Sequence, residues 1–301
     1  MKDHKNTGEL LIVLAGVFWG SMGLFVRRLN AAGFTSFQTA FVRLSISAVV
    51  FSLILLAADR SGFRIAAKDI PLFLGLGICS VMSFTVCYFK AIELMTLSAA
   101  AILLYTSPIW VMLMSALFFK EKLTAVKLVS LVLAVGGCVL VSGIGGGGGL
   151  SPAGILLGLA SGVCYALYSI LGTVALRRYR PLTVTTYTFI FASLGCLFFC
   201  APGELLRTVS ASPQLSMLLL LPSTAVITAV IPYLCYTKGL QSTEAGRASI
   251  LATVEPVVAS VLGIVVYSER PGLSSAIGII LVLSAIVLLN LRTDSKPETE
   301  P

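Results

Sequence analysis

Long apolar runs separated by short polar stretches make up most of the chain, and they predict a bundle of membrane-spanning helices. A hydrocarbon core of roughly 30 Å needs about 20 apolar residues per helix. Ten spans of this kind are predicted, at about Leu10–Val26, Thr35–Ala58, Ile70–Phe89, Thr96–Phe119, Ala125–Val141, Ala153–Leu176, Thr183–Ala201, Leu215–Thr237, Ala245–Tyr267 and Leu273–Leu291. The uncharged stretch from residue 128 to 176 is too long for one helix, and the glycines at 145–149 followed by Ser151-Pro152 interrupt it.

The polar positions between the apolar runs repeat at a fixed offset of 148 residues without a gap. The matched pairs are Tyr88 with Tyr236, Lys90 with Lys238, Pro108 with Pro256, and Glu121 with Glu269. Apolar helices resemble one another by composition alone, but matching lysine, proline and glutamate positions favours a true duplication. Because each unit has five spans, the second unit crosses the membrane in the opposite sense.

The predicted fold is therefore an all-α membrane protein of ten transmembrane helices arranged as two inverted five-helix repeats. Inverted repeats of this kind place a site near the midplane, between the halves, and permit alternating access. We expect a first repeat at residues 1–144, a Gly-rich linker at 145–152, a second repeat at 153–292 and a disordered cytoplasmic tail at 293–301.

The distribution of lysine and arginine predicts the orientation of the chain. With the N-terminus in the cytoplasm, the cytoplasmic segments hold about three times as many of these residues as the outer ones, as the positive-inside rule requires. We expect a multi-pass protein of the cell membrane (the plasma or inner membrane) with both termini cytoplasmic. The start, MKDHKNTGEL, has no small-residue cleavage site after it and is interpreted as leading into an uncleaved first helix.

Composition narrows the class of protein further. With 57% hydrophobic and 11% charged residues, the chain cannot cover a water-soluble surface. The formal charge of +8 lies at the ends of apolar runs, which argues against a nucleic-acid partner and for membrane lipid. All seven cysteines fall within apolar runs without a CxxC pair, and the single histidine is His4, so we expect neither a metal site nor a cofactor.

Two proline-broken segments carry a resemblance to a known family. They run from Ser107-Pro108 to Glu121 and from Glu255-Pro256 to Glu269, within a ten-span chain. This pattern, with Trp19 and Arg43, resembles the EamA-type branch of the drug/metabolite transporter superfamily over nearly the whole chain. The resemblance implies an exporter or exchanger of small metabolites, with its site in a central cavity lined by both halves.

Glu255 is the most unusual residue of the chain, a carboxylate near the middle of a span. An ionised carboxylate there costs on the order of 3 kcal/mol, so it must face a cavity, find a partner or take up a proton. It is a candidate for proton coupling or for binding a cationic group, and the alternative is a structural glutamate held by hydrogen bonds beside Pro256. Each proline also removes the helical donor of a carbonyl one turn earlier, at Leu104 and Ala252, which leaves possible ligand acceptors.

Arg43 lies in the outer part of the second span. It can pair with Glu255 or hold a substrate carboxylate. The alternatives are snorkelling toward the outer interface or a structural tie to backbone carbonyls.

Aromatic residues complete the candidate site, although such residues in membrane helices also serve as packing or interface belts. Trp110 lies three residues after Ser107 and is expected on the helix face that carries Glu255 in the other half. An aromatic pocket with few charges suits an amphiphilic or cation-bearing substrate. The predicted substrate-binding residues are Trp19, Arg43, Tyr88, Tyr105, Trp110, Tyr165, Tyr168, Tyr233 and Glu255.

Two further features are open to two interpretations each. Glu121 and Glu269 follow apolar runs beside basic residues, which favours interfacial charge pairs over a gate. Gly154, Gly158 and Gly162 form a GxxxGxxxG face that suits packing within the fold or against a second copy in a homodimer.

The leading function is a secondary transporter. The chain contains no phosphate loop, no cluster of aspartates for Mg²⁺ and no HExxH motif, which argues against an ATP-driven motor and against a membrane enzyme, and we expect no catalytic residues. A channel is a distant alternative. With Arg43 the only basic residue inside a span, neutral, zwitterionic or amphiphilic metabolites such as amino acids are the first expectation, and proton-coupled efflux of lipophilic cations is the second.

Overall fold

The computed structural model describes residues 2–142, 151–200, 202–211, 214–268 and 272–291, and these residues form helices and connecting turns without a β-strand. Eight segments are long and apolar enough to cross a membrane, and two shorter apolar helices follow the same pattern. The helices are α1 (Lys2–Gly20), α2 (Met22–Ala31), α3 (Ser36–Ala58), α4 (Ile70–Leu74), α5 (Ser83–Leu94), α6 (Leu97–Leu104), α7 (Ser107–Phe119), α8 (Ala125–Ser142), α9 (Pro152–Ala175), α10 (Pro181–Cys196), α11 (Pro202–Ala211), α12 (Gln214–Ala225), α13 (Ile231–Gly239), α14 (Ala245–Leu251), α15 (Val254–Tyr267) and α16 (Leu273–Leu291).

Ten apolar spans are built from these helices. Spans 1, 4 and 9 are each broken into two helices, α1–α2, α6–α7 and α14–α15. Spans 3 and 8 each contain a π-helical segment, Gly75–Met82 between α4 and α5 and Val226–Val230 between α12 and α13. Spans 2, 5, 6, 7 and 10 are the single helices α3, α8, α9, α10 and α16.

The predicted end of span 7 differs from the structure. The apolar run predicts a span that ends at Ala201, but α10 ends at Cys196 and the chain turns there, with the Cys200 N–H donating to the Cys196 carbonyl. Helix α11 follows and was not predicted. Its Leu205 and Val209 pack against neighbouring apolar residues, whereas its charged residues are exposed, so its hydropathy is too low to mark a span.

Backbone details repeat at the offset of 148 residues found in the sequence. The C-caps Lys120 and Ser268 are both left-handed, with φ of 55° and 54°. Their N–H groups donate to the carbonyls of Ser115 and Gly263, which are also equivalent positions. The two π-helical segments likewise end at equivalent residues, so the two repeats share local conformation as well as sequence.

Equivalent residues of the two repeats also meet each other. The hydroxyl oxygens of Ser45 and Ser193, 148 residues apart, are 2.7 Å from one another. Span 2 packs against span 7, and span 5 against span 10, while span 1 packs on spans 8 and 9 as span 6 packs on spans 3 and 4. Contact between equivalent positions is what a two-fold relation produces. The architecture is therefore two inverted five-helix repeats.

Glycines on spans 1 and 6 allow close packing against the two broken spans. The glycines of the GxxxGxxxG face on α9 are buried, and a Cβ on Gly162 would lie 3.0 Å from the Leu103 carbonyl. In the other repeat, a Cβ on Gly16 would lie 3.0 Å from the Ala252 carbonyl. The GxxxGxxxG face thus packs within the fold, against the break in span 4.

Two of the predicted segments fall outside the described residues. Most of the expected linker at 145–152 lies in the gap between residues 142 and 151, and the expected tail at 293–301 follows the last described residue. Glu269, the sequence equivalent of Glu121, is likewise outside the described part of the chain.

Candidate functional site

The breaks in spans 4 and 9 share one local design. After α6 ends, the Thr106 hydroxyl donates to the Leu103 carbonyl at 2.6 Å. After α14 ends, the Thr253 hydroxyl donates to the Ile250 carbonyl at the same distance of 2.6 Å. A threonine therefore satisfies a carbonyl at each helix end, where the regular ladder stops.

The residues around the two prolines differ between the repeats. Two residues separate Thr253 from Pro256, whereas one separates Thr106 from Pro108. Glu255 is in the first turn of α15, where the helix dipole favours a negative charge. The Ala252 carbonyl, expected to lack a donor, accepts the Glu255 N–H at 3.1 Å. One of the two carbonyl acceptors proposed from the sequence is therefore already engaged.

The two breaks face each other around one small cavity. Its volume is about 20 Å³, which is room for about one water molecule. Tyr105 and Ser107 line it from the first repeat, and Thr253 and Glu255 line it from the second. The paired proline breaks thus meet at the interface between the repeats.

An aromatic cluster adjoins this cavity and surrounds a second one of about 10 Å³. Trp19 is at its centre, with ring centroids 5.3 Å from Tyr233 and 6.3 Å from Tyr165. Tyr165 lines both cavities. Tyr168 packs edge-on to Tyr233 at 5.1 Å. Trp19 and Tyr165 occupy matching places in the first span of each repeat, so the cluster lies between the repeats.

Hydrogen bonding separates the predicted aromatic residues into two groups. Tyr168 is engaged, because its hydroxyl lies 2.6 Å from Thr237 Oγ1. Trp110 is also engaged, through its Nε1. Within the described part of the chain, the polar atoms of the other predicted aromatic residues have no hydrogen-bond partner, and these residues are Trp19, Tyr88, Tyr105, Tyr165 and Tyr233. Their polar atoms are available to a ligand.

Arg43 and Glu255 are the two predicted charges inside the spans, and neither has an ion pair among the described residues. Arg43 is 5% exposed. Its Nη1 lies 3.2 Å from the Met22 sulfur, and its Nε has no hydrogen-bond partner. The two charges are therefore not joined to each other within 4 Å, although both belong to the repeat interface.

Trp110 lies outside both cavities. Its Nε1 donates to Thr106 Oγ1 at 3.2 Å, and its ring packs against the cluster that contains Val111, Ile170 and Ala245. It therefore contacts the break in span 4 on a side that does not line either cavity. Tyr88 stacks with Phe84, with ring centroids 6.1 Å apart.

Three residues of the aromatic cluster were not proposed as site residues from the sequence. Phe84 and Tyr236 line the Trp19 cavity, and Phe189 packs against Tyr233 at 4.8 Å. Tyr236 lies one helical turn after Tyr233, a spacing that is visible in the sequence. Phe84 and Phe189 carry no such signal, because apolar residues of this kind occur throughout the spans.

Glu121 joins the repeats at the end of the molecule that carries the N-terminus. Its carboxylate accepts the N–H groups of Ala245 at 3.1 Å and Gly246 at 3.4 Å, at the start of α14. Lys127 lies 3.6 Å from Glu121 and 2.6 Å from Glu244. Glu121 is thus a first-repeat carboxylate that caps a second-repeat helix, a contact that the sequence did not indicate.

Three more ion pairs link the repeats at this same end: Glu9–Arg247 at 2.7 Å, Asp69–Arg178 at 2.9 Å and Asp59–Arg180 at 2.7 Å. Hydrogen bonds from Ser61, with a smaller contribution from Arg180, lower the pKa of Asp59. Among the described residues, the ion pair found at the opposite end is the local Lys90–Glu93 contact. The N-terminal end is therefore closed by charge contacts between the repeats.

Comparisons with known proteins agree with this architecture. The model of the EamA-like transporter family matches the chain twice, over residues 6–143 and 152–291. "Uncharacterized transporter YxxF" of Bacillus subtilis is 26% identical over 97% of this chain and 92% of its own length. "Uncharacterized inner membrane transporter YicL" of Salmonella typhimurium is 24% identical, covering 94% and 95%. A solved crystal structure superimposes with a TM-score of 0.78 over 95% of this chain and 97% of its own, at 20% identity, which shows a shared fold.

Proposed function

Because the chain belongs to the EamA-like transporter family, we propose that it is a secondary active transporter of small zwitterionic or neutral metabolites such as amino acids. It works as an exporter or exchanger, by alternating access around the cavities between the repeats. It resides in the cell membrane, at the inner membrane in a Gram-negative cell, with both termini in the cytoplasm.

The observation that carries this proposal is the presence of two opposite charges without ion pairs at the repeat interface. An unpaired charge inside a membrane is costly, and such residues commonly serve a transport pathway. Arg43 can bind a substrate carboxylate, and Glu255 can bind an ammonium group. A zwitterion satisfies both. A phosphorylated substrate would leave Glu255 repelled and would have only one arginine to bind it.

The aromatic cluster adds selectivity for the remaining part of the substrate. Trp19 and Tyr165 offer ring faces to an apolar side chain, and their free polar atoms offer hydrogen bonds to polar groups. Since both cavities are about the size of one water molecule, substrate entry requires the repeats to move apart. Opening toward the N-terminal side must break the ion pairs between the repeats.

Proton-coupled efflux of lipophilic cations is the second candidate. Glu255 beside tyrosine and tryptophan rings is a suitable environment for an organic cation. This alternative makes Arg43 dispensable, whereas zwitterion transport does not.

Counterflow of labelled amino acids in proteoliposomes tests the proposal. We expect unlabelled substrate inside the vesicle to drive uptake in the wild type, and both Arg43→Gln and Glu255→Gln to reduce it strongly. Ser52→Ala is the matched control, because the Ser52 hydroxyl binds only its own helix, at the Ala48 carbonyl. Counterflow of organic cations that survives Arg43→Gln would favour the second candidate, and no counterflow of either class by folded wild-type protein would contradict transport of this kind.

A further inference from the structure

The size of the Glu255 cavity points to a second ligand, an inference that rests on the transport function proposed above. At about 20 Å³ the cavity holds one particle the size of a water molecule, so an amino acid does not fit in this closed conformation. Glu255 nevertheless lines it without an ion pair or hydrogen bond among the described residues. An uncompensated carboxylate in a membrane is unfavourable. A bound proton or a small cation can compensate the carboxylate when the substrate is absent.

The oxygens around the cavity are arranged as acceptors. Ser107 is 4% exposed and lines the cavity, and its hydroxyl has no hydrogen-bond partner in the described part of the chain. The hydroxyls of Ser249 and Thr253 donate to the carbonyls of Gly246 at 2.8 Å and Ile250 at 2.6 Å. Their hydrogens are thus engaged with the backbone, and their lone pairs remain. Hard cations prefer such a set of carboxylate and neutral oxygens.

Helix ends of both kinds meet at the cavity. Leu104 and Ala252, at the C-terminal ends of α6 and α14, both line it. Their partial negative charge is of the kind that coordinates Na⁺ in broken membrane helices, while the N-terminal ends of α7 and α15 favour the Glu255 carboxylate. Arg43 of span 2 forms no ion pair with Glu255 within 4 Å, so its charge acts on the carboxylate only from a longer distance.

We propose that this cavity binds one sodium ion, held by Glu255 and Ser107, and that Na⁺ and the substrate's ammonium group compete for the Glu255 carboxylate. The closed, substrate-free conformation is then the sodium-loaded state. Because one carboxylate cannot hold both cations, the carrier returns with Na⁺ after releasing substrate. This competition couples substrate movement in one direction to Na⁺ movement in the other.

Thermal unfolding of the purified protein tests the site without any substrate. At constant ionic strength set with choline chloride, we expect NaCl to raise the unfolding temperature saturably and KCl to have little effect, since a ligand of the native state stabilises it. Glu255→Gln is expected to abolish the sodium response, and Ser107→Ala to weaken sodium binding about 10-fold. Ser52→Ala should respond as the wild type does. Equal responses to Na⁺, K⁺ and choline, or a response to pH alone, would overturn the sodium site.

Transport assays distinguish sodium coupling from the proposed transport function itself. Substrate counterflow in sodium-free buffer tests transport alone, and we expect the wild type and Ser52→Ala to show it equally. Uptake driven by an outward Na⁺ gradient tests coupling, and we expect Ser107→Ala to lose most of it. Counterflow with no sodium-driven uptake in the wild type would refute sodium coupling and leave the transport function intact.

Discussion

At the scale of single residues, Glu121 shows how a carboxylate near a span end can hold two repeats together. Its side chain is 10% exposed and contacts two N–H groups and one lysine. A Cβ on Gly246 would lie 3.2 Å from its Oε2, so the glycine leaves room for the carboxylate. Any opening of this end must separate Glu121 from α14.

Glu121→Ala is expected to destabilise the closed conformation by about 1–2 kcal/mol, the usual cost of losing a capping side chain. Because α14 loses its cap, the N-terminal side should open more often. Thiol-reactive labelling of a cysteine introduced at Ala248, in a background whose seven native cysteines are replaced, should therefore become faster. Glu93→Ala is the control, since Glu93 contacts only the exposed Lys90 beside it. Equal labelling rates in both variants would show that Glu121 does not hold this end closed.

The two tryptophans are expected to behave differently when changed. Trp19→Ala removes the centre of the aromatic cluster and should raise the KM for transport about 10-fold or more. Trp110→Phe removes the hydrogen bond to Thr106 and part of the ring that packs against Ile170, and should cost about 1–3 kcal/mol of stability with the KM unchanged. Initial transport rates and unfolding temperatures of both variants check this. A larger effect on the KM from Trp110→Phe than from Trp19→Ala would show that the substrate binds on the Trp110 side of span 4.

The sequence shows which polar residues are unusual, but it does not show where their side chains point. Arg43 and Glu255 stand out because charge is rare inside spans. Trp110 was expected near Glu255 from its spacing after Ser107, but one helical turn carries it beyond a cavity only as large as one water molecule. The contacts of Glu121 depend on the start of α14 in the other repeat, which no local sequence pattern reveals.

At the scale of helices, close packing of span 1 on the break in span 9 positions Glu255. A Cβ on Gly16 would meet the Val254 side chain at 2.5 Å. By contrast, a Cβ on Gly23, in α2 of the same span, would meet nothing within 4 Å. These two glycines therefore provide a matched pair for testing the contact.

Gly16→Ala is expected to destabilise the protein by about 1–3 kcal/mol, because overpacking must push the broken span away. Gly23→Ala should be neutral or stabilising by up to about 1 kcal/mol through helix propensity. Thermal unfolding of both variants in the same detergent measures the difference. Equal stabilities would show that span 1 does not pack this closely on the break.

Hydropathy and the internal repeat predict the number of spans and their order, because both depend on the bilayer thickness and the positions of prolines and charges. They do not predict the π-helical segments in spans 3 and 8, since one extra residue per turn leaves no compositional signal. The break in span 4 could be placed near Pro108, but the role of Thr106 required its hydrogen bond.

In the whole molecule, ion pairs between the repeats close the end that carries the N-terminus. They make the stability of the folded protein depend on pH. The pKa of Asp59 is lowered by hydrogen bonds from Ser61 and by Arg180. The Asp59 carboxylate therefore contributes to the stability of the folded protein above its ordinary pKa of 3.8, and this contribution is lost as the pH falls through its lowered pKa. Asp59→Asn should flatten that acid-side decrease. Because the pair is exposed, the change should be small. Chemical denaturation between about pH 2 and 6 measures it, and an unchanged pH profile would exclude this contribution.

Joint recognition of a zwitterion by Arg43 and Glu255 can be measured by the binding of three related ligands. They are an amino acid that the protein transports, its amide, which keeps only the positive charge, and its N-acetyl form, which keeps only the negative charge. In the wild type we predict that the zwitterion binds about 10-fold or more tightly than either analogue. Arg43→Gln should remove the discrimination against the amide, and Glu255→Gln should remove the discrimination against the N-acetyl form. Two results would contradict recognition by both residues. One is equal binding of all three ligands to the wild type. The other is a single variant that loses both preferences while the other variant keeps both.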